Sequence, residues 1–467
     1  MHYTSTRNNK ESKSFTEVVF QGLAPDGGLY WPKSWPQITQ NDFNKWQNLT
    51  YAELAFEVFC LFIDDIPPQD LRMLIDKAYE EFPEHDIAPL TKLDNNIWLL
   101  ELFHGPTLSF KDFALKALGQ ILDYLCQKHN VHKTIIVATS GDTGSAALHA
   151  FKGSQNIDIV VLHPYERISD MQRRQMTTIS SPNALNIALK GTFDDCQNIV
   201  KSLFQDKEFT NKKSLTAVNS INWCRVLAQI VYYIYTCLRL TDYSKKISFA
   251  VPTGNFGNIL AGYCAKKMGL PIDKLIICSN ENDVLPRFFE HNKMSLQNVV
   301  ITHSPSMDIQ ISSNFERFIF DISENSQYVS QLMSDLKTKH NFSLSPELWK
   351  IANMHFVTHT CDNNQTLKTI HSVFTETYHI IDPHTAVAVH AIKCVASGQN
   401  LRPIVALSTA SPGKFFETVE KAIEKDLILP KKLASLKKKQ EYYEILPNKL
   451  GKIKEKIQTH FKDRHDT

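Results

Sequence analysis

The sequence predicts an α/β protein with open, mostly parallel sheets flanked by helices, and three observations support that prediction. Short apolar, β-branched runs alternate with helical patterns from about residue 133 onward, as in chains built from βα units. Polar and apolar residues do not alternate within these runs. Continuous apolar runs are typical of parallel strands buried on both faces. The chain has 467 residues, 43% of them hydrophobic, which is enough for two or three domains.

The alternation can be followed along the chain. Strands are expected at "KTIIVAT", "IDIVVLHP", "ALNIALKG", "KISFAVPTG", "KLIICSN", "HFVTHTC" and "RPIVALST". Helices are expected at "SAALHAFKG", "TFDDCQNIVKSLFQD", "NILAGYCAKKMG", "DNNQTLKTI" and "GKFFETVEKAI". Ligands bind such sheets beyond the carboxyl ends of the strands, so each strand-to-helix turn is a candidate binding site.

The two ends of the chain differ from this pattern. Residues 1–92 mix turn signals with amphipathic helices, which indicates a small, mostly helical N-terminal domain. Residues 93–123 and 235–430 are expected to form a large α/β domain, and residues 124–234 a smaller one. Residues 431–467 carry 11 Lys/Arg against 5 Asp/Glu. Leu450, Ile453, Ile457 and Phe461 recur there at helical spacing, which predicts a solvated terminal helix in a basic tail.

Composition narrows the functional class. The 51 basic and 49 acidic residues give a net charge of +2. A charge this small produces no overall electrostatic attraction for nucleic acid. The N-terminus lacks the apolar core of a signal peptide, and no apolar run is long enough to span a bilayer. The nine cysteines are scattered without a C-x-x-C pair, which indicates neither a disulfide framework nor a zinc site. We therefore expect a soluble, cytoplasmic protein with no bound metal.

The turn "TSGDTGSA", residues 139–146, places small and hydroxyl residues at a helix start. Free N–H groups at a helix N-terminus favour a carboxylate or phosphate. The alternative is an ordinary helix cap by Asp142 or Ser140. The number of small residues in this turn favours an anion site.

The turn "PTGNFGN", residues 252–258, follows an apolar strand and opens a helix. Gly254 and Gly257 allow close backbone approach, and the helix start supplies N–H donors, which predicts a phosphate cradle. The turn matches neither the Walker pattern nor G-x-G-x-x-G. Asn and Gly are also common in tight turns that bind nothing.

A single lysine, Lys111, begins the helix of "ELFHGPTLSFKDFALKALG" straight after a Gly-Pro turn. It is either a solvated first-turn residue or a buried amine that forms a covalent bond with a carbonyl. A reactive lysine together with a phosphate cradle matches the needs of pyridoxal phosphate. That cofactor also needs a partner for its ring nitrogen. Ser408 and Thr409, at the strand end "IVALSTASPG", could supply a hydroxyl or simply cap a helix.

Four stretches stand in order along the chain: "HGPTLSFKDFAL", "TSGDTGSA", "PTGNFGN" and "LSTASPGKF". Together they resemble the threonine synthase family, pyridoxal-phosphate enzymes of the tryptophan-synthase-β fold group. Residues 3–32 and the stretch "SPSMDIQISSNFERF" resemble the same family, so the match runs from residue 3 to about 420. The chain departs from the family pattern at Ser109, Ser411 and Gly413. Ser411 stands where a histidine is expected.

The resemblance implies a fold type II enzyme with pyridoxal 5'-phosphate as its cofactor. It implies that Lys111 binds the cofactor covalently and then moves protons. The implied cofactor phosphate site is Gly254, Asn255, Phe256, Gly257 and Asn258, and the implied partner of the ring nitrogen is Thr409. The residues implied to hold the substrate carboxylate or the cofactor ring oxygen are Ser140, Asp142 and Thr143.

The implied reaction converts O-phospho-L-homoserine and water to L-threonine and phosphate, in a monomer or homodimer. By the same resemblance, the large domain holds the cofactor and the smaller one the substrate. Two alternatives stay open: a threonine-synthase-like phospholyase that releases 2-oxobutyrate, and a non-catalytic carrier of pyridoxal phosphate. Arg7, Arg173 and Arg174 are candidates for the substrate phosphate or are simply surface arginines.

Overall fold

A computed structural model describes residues 1–83, 86–94, 96–139, 141–241, 243–396 and 403–464. Within these ranges the strands are β1 (Tyr3–Ser5), β2 (Tyr30–Pro32), β3 (Leu90–Lys92), β4 (Ile97–Glu101), β5 (Lys133–Ala138), β6 (Ile157–Pro164), β7 (Ala184–Lys190), β8 (Leu215–Thr216), β9 (Ile247–Pro252), β10 (Ile272–Ser279), β11 (Met294–Ser295), β12 (Asn341–Phe342), β13 (Phe356–Thr360), β14 (Ile404–Ser408) and β15 (Glu444–Pro447).

The α-helices of the described ranges are α1 (Phe15–Gln21), α2 (Gln40–Trp46), α3 (Tyr51–Cys60), α4 (Pro68–Tyr79), α5 (Lys111–Lys128), α6 (Asp142–Phe151), α7 (Asp170–Thr177), α8 (Phe193–Gln205), α9 (Lys207–Lys213), α10 (Trp223–Leu240), α11 (Gly257–Lys267), α12 (Val284–His291), α13 (Phe315–Ser323), α14 (Ser326–Lys339), α15 (Pro346–His355), α16 (Asn363–Thr377), α17 (Pro383–Ala396), α18 (Phe416–Ile423), α19 (Lys431–Ala434) and α20 (Leu450–His460). Short 3₁₀ helices span Pro305–Met307, Pro412–Phe415, Ser435–Lys438 and Lys462–Arg464.

The large sheet has the strand order β13-β10-β9-β14-β4-β3. All neighbouring pairs are parallel except β3 with β4. Three adjacent strands, β9, β14 and β4, therefore end at the same edge. Each of them runs into one of the turns singled out in the sequence, so the sheet brings three distant segments together.

The smaller sheet has the order β15-β7-β6-β5-β8, and its strands are all parallel. Every residue of β6 and β9 is buried, because helices cover both faces of each sheet. The predicted fold class and the seven predicted strands are confirmed. The proposed domain boundaries stay a prediction.

The N-terminal region consists of the antiparallel pair β1-β2 and helices α1–α4. Reciprocal capping boxes start three of these helices, with Ser14, Thr39 and Thr50 as the cap residues, which satisfies N–H groups that would otherwise lack acceptors. Tyr3 and Trp31 contact Trp223 of α10 at ring-centroid distances of 6.1 and 5.6 Å. The region thus shares a core with the helices beneath the candidate site.

The C-terminal segment is part of the folded structure. Strand β15 pairs with β7 at the edge of the smaller sheet, and Ile453, Ile457 and Phe461 are fully buried. The predicted terminal helix is confirmed as α20, but its predicted solvation is wrong for this apolar face. The lysines lie on the remaining faces, which explains why composition alone suggested a basic tail.

None of the helices in the described ranges combines the length and the apolar character that a membrane span requires. None of the nine cysteines, all within those ranges, forms a disulfide, as the scattered spacing predicted.

Candidate active site

Lys111 is the first residue of α5 and directly follows a tight loop. Buried Asp112 holds this loop by accepting hydrogen bonds from the Thr107 N–H at 2.8 Å and the Thr107 hydroxyl at 2.6 Å. A Cβ on Gly105 would lie 2.5 Å from Asp112, so only glycine permits this close approach. The loop is joined to the end of β14 by a bridge between Ser109 and Ala410. The Gly-Pro turn therefore fixes the direction in which Lys111 leaves the sheet.

A single carboxylate lies between two buried lysines. Asp142 Oδ2 is 3.2 Å from Lys111 Nζ, and Asp142 Oδ1 is 2.8 Å from Lys414 Nζ. Burial lowers the pKa of the Lys111 amine, an effect that Asp142 opposes and Lys414 reinforces. Burial alone would raise the pKa of Asp142, but the two ammonium groups hold it well below its ordinary value. The site thus contains an ionised carboxylate and an amine that deprotonates more readily than a solvated lysine.

A histidine enters the site from α17. The Ser306 N–H donates to His384 Nε2 at 3.2 Å, and His384 Nδ1 lies 2.8 Å from Asp382 Oδ1. These contacts assign the ring proton to Nδ1, with a neutral ring. Ser306 Oγ in turn lies 3.3 Å from Lys111 Nζ. His384 therefore positions the Ser306 backbone, and with it the Ser306 hydroxyl beside the Lys111 amine.

The turn after β9 leads directly into the start of α11. The carbonyls of Gly254 and Asn255 accept hydrogen bonds from Ser312 and Asn314. The N–H groups of residues 254–259 have no acceptor within the described part of the chain. Such a set of donors at a helix start fits a phosphate group.

Asn258 adds a side-chain donor to this turn. Its Oδ1 accepts hydrogen bonds from Tyr232 at 2.7 Å and from Tyr233 at 2.9 Å. Its Nδ2 is buried and has no partner among the described residues. A buried amide without an acceptor is costly, and a bound anion would supply one.

Phe256 supports the turn from behind. Its backbone is left-handed, with φ of 61°, and its buried ring packs against Phe315, Phe318 and Phe356. The aromatic side chain is thus part of the core, and only its peptide group is available to a ligand. The strain of the left-handed backbone is offset by this packing.

Thr409 follows β14 and lies beside the Lys111 loop, because its carbonyl accepts from the Phe110 N–H at 2.9 Å. Thr409 is buried, and its hydroxyl has no partner within the described residues. The neighbouring Ser408 hydroxyl instead contacts Thr385 Oγ1 at 2.9 Å. Thr409 is therefore better suited than Ser408 to contact a ring nitrogen.

The turn after β5 begins α6 at Asp142. A Cβ on Gly141 would lie 2.6 Å from the Gln172 amide, so this position requires glycine. The N–H groups of Asp142 and Thr143 have no acceptor within the described ranges. Ser140, which was also predicted here, lies outside the described residues.

Arg225, on α10, was missed by the sequence analysis. It is buried, its Nε has no partner among the described residues, and Nη1 donates to the Val218 carbonyl at 3.2 Å. Burial lowers its pKa to about 10, and its charge acts on Lys111. The Arg225 carbonyl accepts from Gln229, which also contacts Tyr232. No carboxylate among the described residues pairs with Arg225, and a buried cation in this situation favours an anionic ligand.

Three other arginines are already paired. Arg7 contacts Glu316 at 2.7 Å, and Arg173 contacts Glu441 at 2.8 Å. Arg174 contacts Asp170 at 3.0 Å. A structural role accounts for all three, and nothing in their geometry supports binding of a substrate phosphate.

Lys414, His384 and Arg225 had weak signals in the sequence. Lys414 lies within the quoted motif "LSTASPGKF", but no role was assigned to it. His384 follows an Asp-Pro pair at a helix start, and Arg225 follows the helix cap Asn222. Their contacts join residues far apart in the chain, which local patterns do not reveal.

The fold and this lysine-centred site define the class: the chain is a pyridoxal-phosphate-dependent enzyme. A family model described as "Pyridoxal-phosphate dependent enzyme" matches residues 81–409. The models "Threonine synthase N terminus" and "Threonine synthase, C-terminal" match residues 2–79 and 385–457. The chain belongs to the threonine synthase family. The C-terminal match extends past residue 420, where the resemblance was expected to end.

Individual relatives agree with this assignment. The chain is 44% identical to "Threonine synthase" of Pseudomonas aeruginosa, covering 94% of each chain. It is 41% identical to "Threonine synthase" of Saccharomyces cerevisiae, covering 95% of each. A crystal structure of PLP-bound threonine synthase from Brucella melitensis matches with a TM-score of 0.95 and 41% identity, covering 98% of this chain and 99% of that one.

Proposed function

We propose that this protein converts O-phospho-L-homoserine and water to L-threonine and phosphate. The observation that carries the proposal is the buried Lys111 amine, at the ends of three adjacent strands, beside two separate sets of N–H donors. One set suits a cofactor phosphate and the other a substrate carboxylate. Both an amine and two anion sites are needed for this reaction, and family membership supports it.

The residues fit pyridoxal phosphate. We propose that the cofactor phosphate is held by the N–H groups of the turn at residues 254–258 and by Asn258 Nδ2. Thr409 would contact the ring nitrogen through its hydroxyl. A neutral hydroxyl cannot hold a proton on that nitrogen as a carboxylate would. Arg225 would add positive charge for a phosphate group of the cofactor or the substrate.

When bound, the cofactor supplies an aldehyde that joins amines and a conjugated ring that acidifies the substrate Cα proton. Lys111 would hold the aldehyde, because its lowered pKa favours the nucleophilic neutral amine. The Lys111 amine would then be the group that removes the substrate Cα proton. The acidity that the cofactor gives to the substrate would allow the γ-phosphate to leave and water to add at Cβ. Lys111 finally returns a proton at Cα.

We propose for Asp142 a role different from the one that the resemblance implied. Its ionised carboxylate would repel a substrate carboxylate, so we propose that its side chain is the counter-ion of Lys111 and Lys414. Its N–H group, together with Thr143, stays available for the substrate carboxylate. Ser140 stays a candidate for the same role.

The products of O-phospho-L-homoserine test the proposal. We expect one equivalent of phosphate for each L-threonine, with little 2-oxobutyrate. Lys111→Ala should abolish turnover, whereas Lys128→Ala, at the far exposed end of the same helix, should retain it. If 2-oxobutyrate were the main product, the phospholyase alternative would hold. If the parent protein released no phosphate, the proposed activity would be wrong and the carrier alternative would hold.

We further propose that the protein is a cytoplasmic fold type II enzyme that acts as a monomer or homodimer. Residues 93–123 with 235–430 would hold the cofactor, and residues 124–234 would hold the substrate. Support comes from the positions of the two turns, one at the end of β9 and one at the end of β5.

A further inference from the structure

His359, His390 and Cys394 form a cluster between β13 and the C-terminal half of α17. His359 lies on the edge strand β13, and the other two lie four residues apart on α17. One ligand atom from each residue lies within 4.8 Å of the other two. Residues four apart share a helix face, so the helix presents an imidazole and a thiol together toward the strand histidine.

The spacing in this cluster fits tetrahedral coordination. In a tetrahedral zinc site, Zn–S and Zn–N bonds of about 2.3 and 2.05 Å place the sulfur and the nitrogen about 3.6 Å from each other. His390 Nε2 and Cys394 Sγ are 3.6 Å apart. The rings of His359 and His390 have centroids 5.3 Å apart, so both can turn a nitrogen toward one point.

We propose that His359, His390 and Cys394 bind a divalent transition metal ion of the Zn²⁺ type, with water as a fourth ligand. Imidazole and thiolate are the ligands that Zn²⁺ prefers. The half-buried histidines and the exposed cysteine leave one side open to solvent. The ion would link edge strand β13 to α17. The first turn of α17 also carries His384 of the candidate active site. Local sequence patterns do not reveal the site, because no C-x-x-C pair is involved and one ligand lies on a separate element.

Cobalt titration of the chelator-treated, cofactor-loaded protein tests this site. We expect one equivalent of Co²⁺ to give the intense visible bands of a four-coordinate ion and a near-ultraviolet thiolate charge-transfer band, both removed by Zn²⁺. The thiolate band distinguishes this site from Co²⁺ bound to the cofactor or to carboxylates. Zn²⁺ should also raise the thermal unfolding midpoint.

Single variants assign the ligands. Cys394→Ser should remove the charge-transfer band, and His359→Asn or His390→Asn should weaken Co²⁺ binding by at least about tenfold. Cys60→Ser and His291→Asn, away from the cluster, are the matched controls and should bind as the parent does. The proposal is overturned if one equivalent gives no four-coordinate spectrum, or if Cys394→Ser keeps the charge-transfer band.

Discussion

Asp142 balances two buried ammonium groups, and its removal should change the chemistry of Lys111. Asp142→Asn keeps the side-chain shape but removes the charge that raises the Lys111 pKa. We expect that pKa to fall, because the attraction of the carboxylate for the ammonium form is lost. Because only the neutral amine attacks the aldehyde, covalent attachment of cofactor to the apoprotein should reach its maximal rate at lower pH. Stopped-flow absorbance across a pH series measures this shift.

The control for this measurement is Asp170→Asn, which removes an exposed carboxylate paired with Arg173 and Arg174. Its attachment rate should follow the pH profile of the parent. An unchanged profile in Asp142→Asn would show that this carboxylate does not set the Lys111 pKa.

Two lysines share Asp142, and the proposed function requires that only one of them binds the cofactor. Borohydride reduction of the cofactor-loaded protein should label the peptide that contains Lys111. Lys111→Ala should lose the label. Lys414→Met should keep it on Lys111, because Lys414 donates to Asp142 and to the Thr107 carbonyl and is fully buried. Mass spectrometry that located the label on Lys414 would reverse the two roles.

The sequence predicted the residues whose chemistry is unusual for their position, and missed those that act through distant contacts. Lys111 was found because a lysine at a helix start follows a Gly-Pro turn. His384 was missed because its partner Ser306 is 78 positions away in the chain. Asp142 was found as part of its turn, but its pairing with Lys414 could not be predicted without the sheet order.

At the scale of elements, Gly257 offers a direct test of the phosphate turn. A Cβ there would meet Asn314 at 3.4 Å, an ordinary contact, so Gly257→Ala should fold as the parent does. The methyl group would crowd a phosphate held by the adjacent N–H groups. We expect cofactor affinity to fall by at least about tenfold, measured by equilibrium dialysis, with the apoprotein unfolding midpoint unchanged.

Comparison variants separate this effect from damage to the fold. A Cβ on Gly254 would lie 3.0 Å from the Ser306 carbonyl oxygen, so Gly254→Ala should lower stability as well. Thr143→Val alters the other turn and should weaken substrate more than cofactor. If Thr143→Val, rather than Gly257→Ala, released the cofactor, the two turns would have exchanged roles.

Elements were predictable where their signal is local. The strands β5, β6 and β9 are predominantly apolar, as buried parallel strands must be. β15 was missed, because its four residues lie in a lysine-rich segment and pair with β7, more than 250 positions earlier. Its assignment depends on the edge that β7 leaves available, which only the folded sheet defines.

At the scale of the whole molecule, α20 completes the core of the smaller sheet. Ile457 is fully buried, so Ile457→Ala should lower the free energy of unfolding by about 2–5 kcal/mol. Thr459→Ala, on the exposed face of the same helix, should change it little. Urea unfolding at pH 7 measures both. Equal stability of the two variants would mean that α20 does not contribute to the core.

The stability of the whole molecule should also depend on pH through His163. This residue lies on β6 near the ring of Tyr443, and its two ring nitrogens are buried without partners in the described residues. Burial lowers its pKa to about 4 from an ordinary value of 6.5. The unfolded chain therefore binds a proton below pH 6.5 that the folded chain does not bind until about pH 4. Stability is thus lost as the pH falls through this window.

Lowering the pKa from 6.5 to about 4 corresponds to about 3 kcal/mol of stability, which is lost in full only below pH 4.

His163→Leu removes the titrating group and two unsatisfied nitrogen atoms. We expect the urea midpoint of this variant to fall less than that of the parent between pH 7 and pH 5. His291→Leu, at an exposed position on α12, should leave the slope unchanged. If His163→Leu and the parent lost equal stability over this range, His163 in the folded protein would contact a proton acceptor or solvent. The packing of Tyr443 and the C-terminal segment over β6 would then be looser than the structure shows.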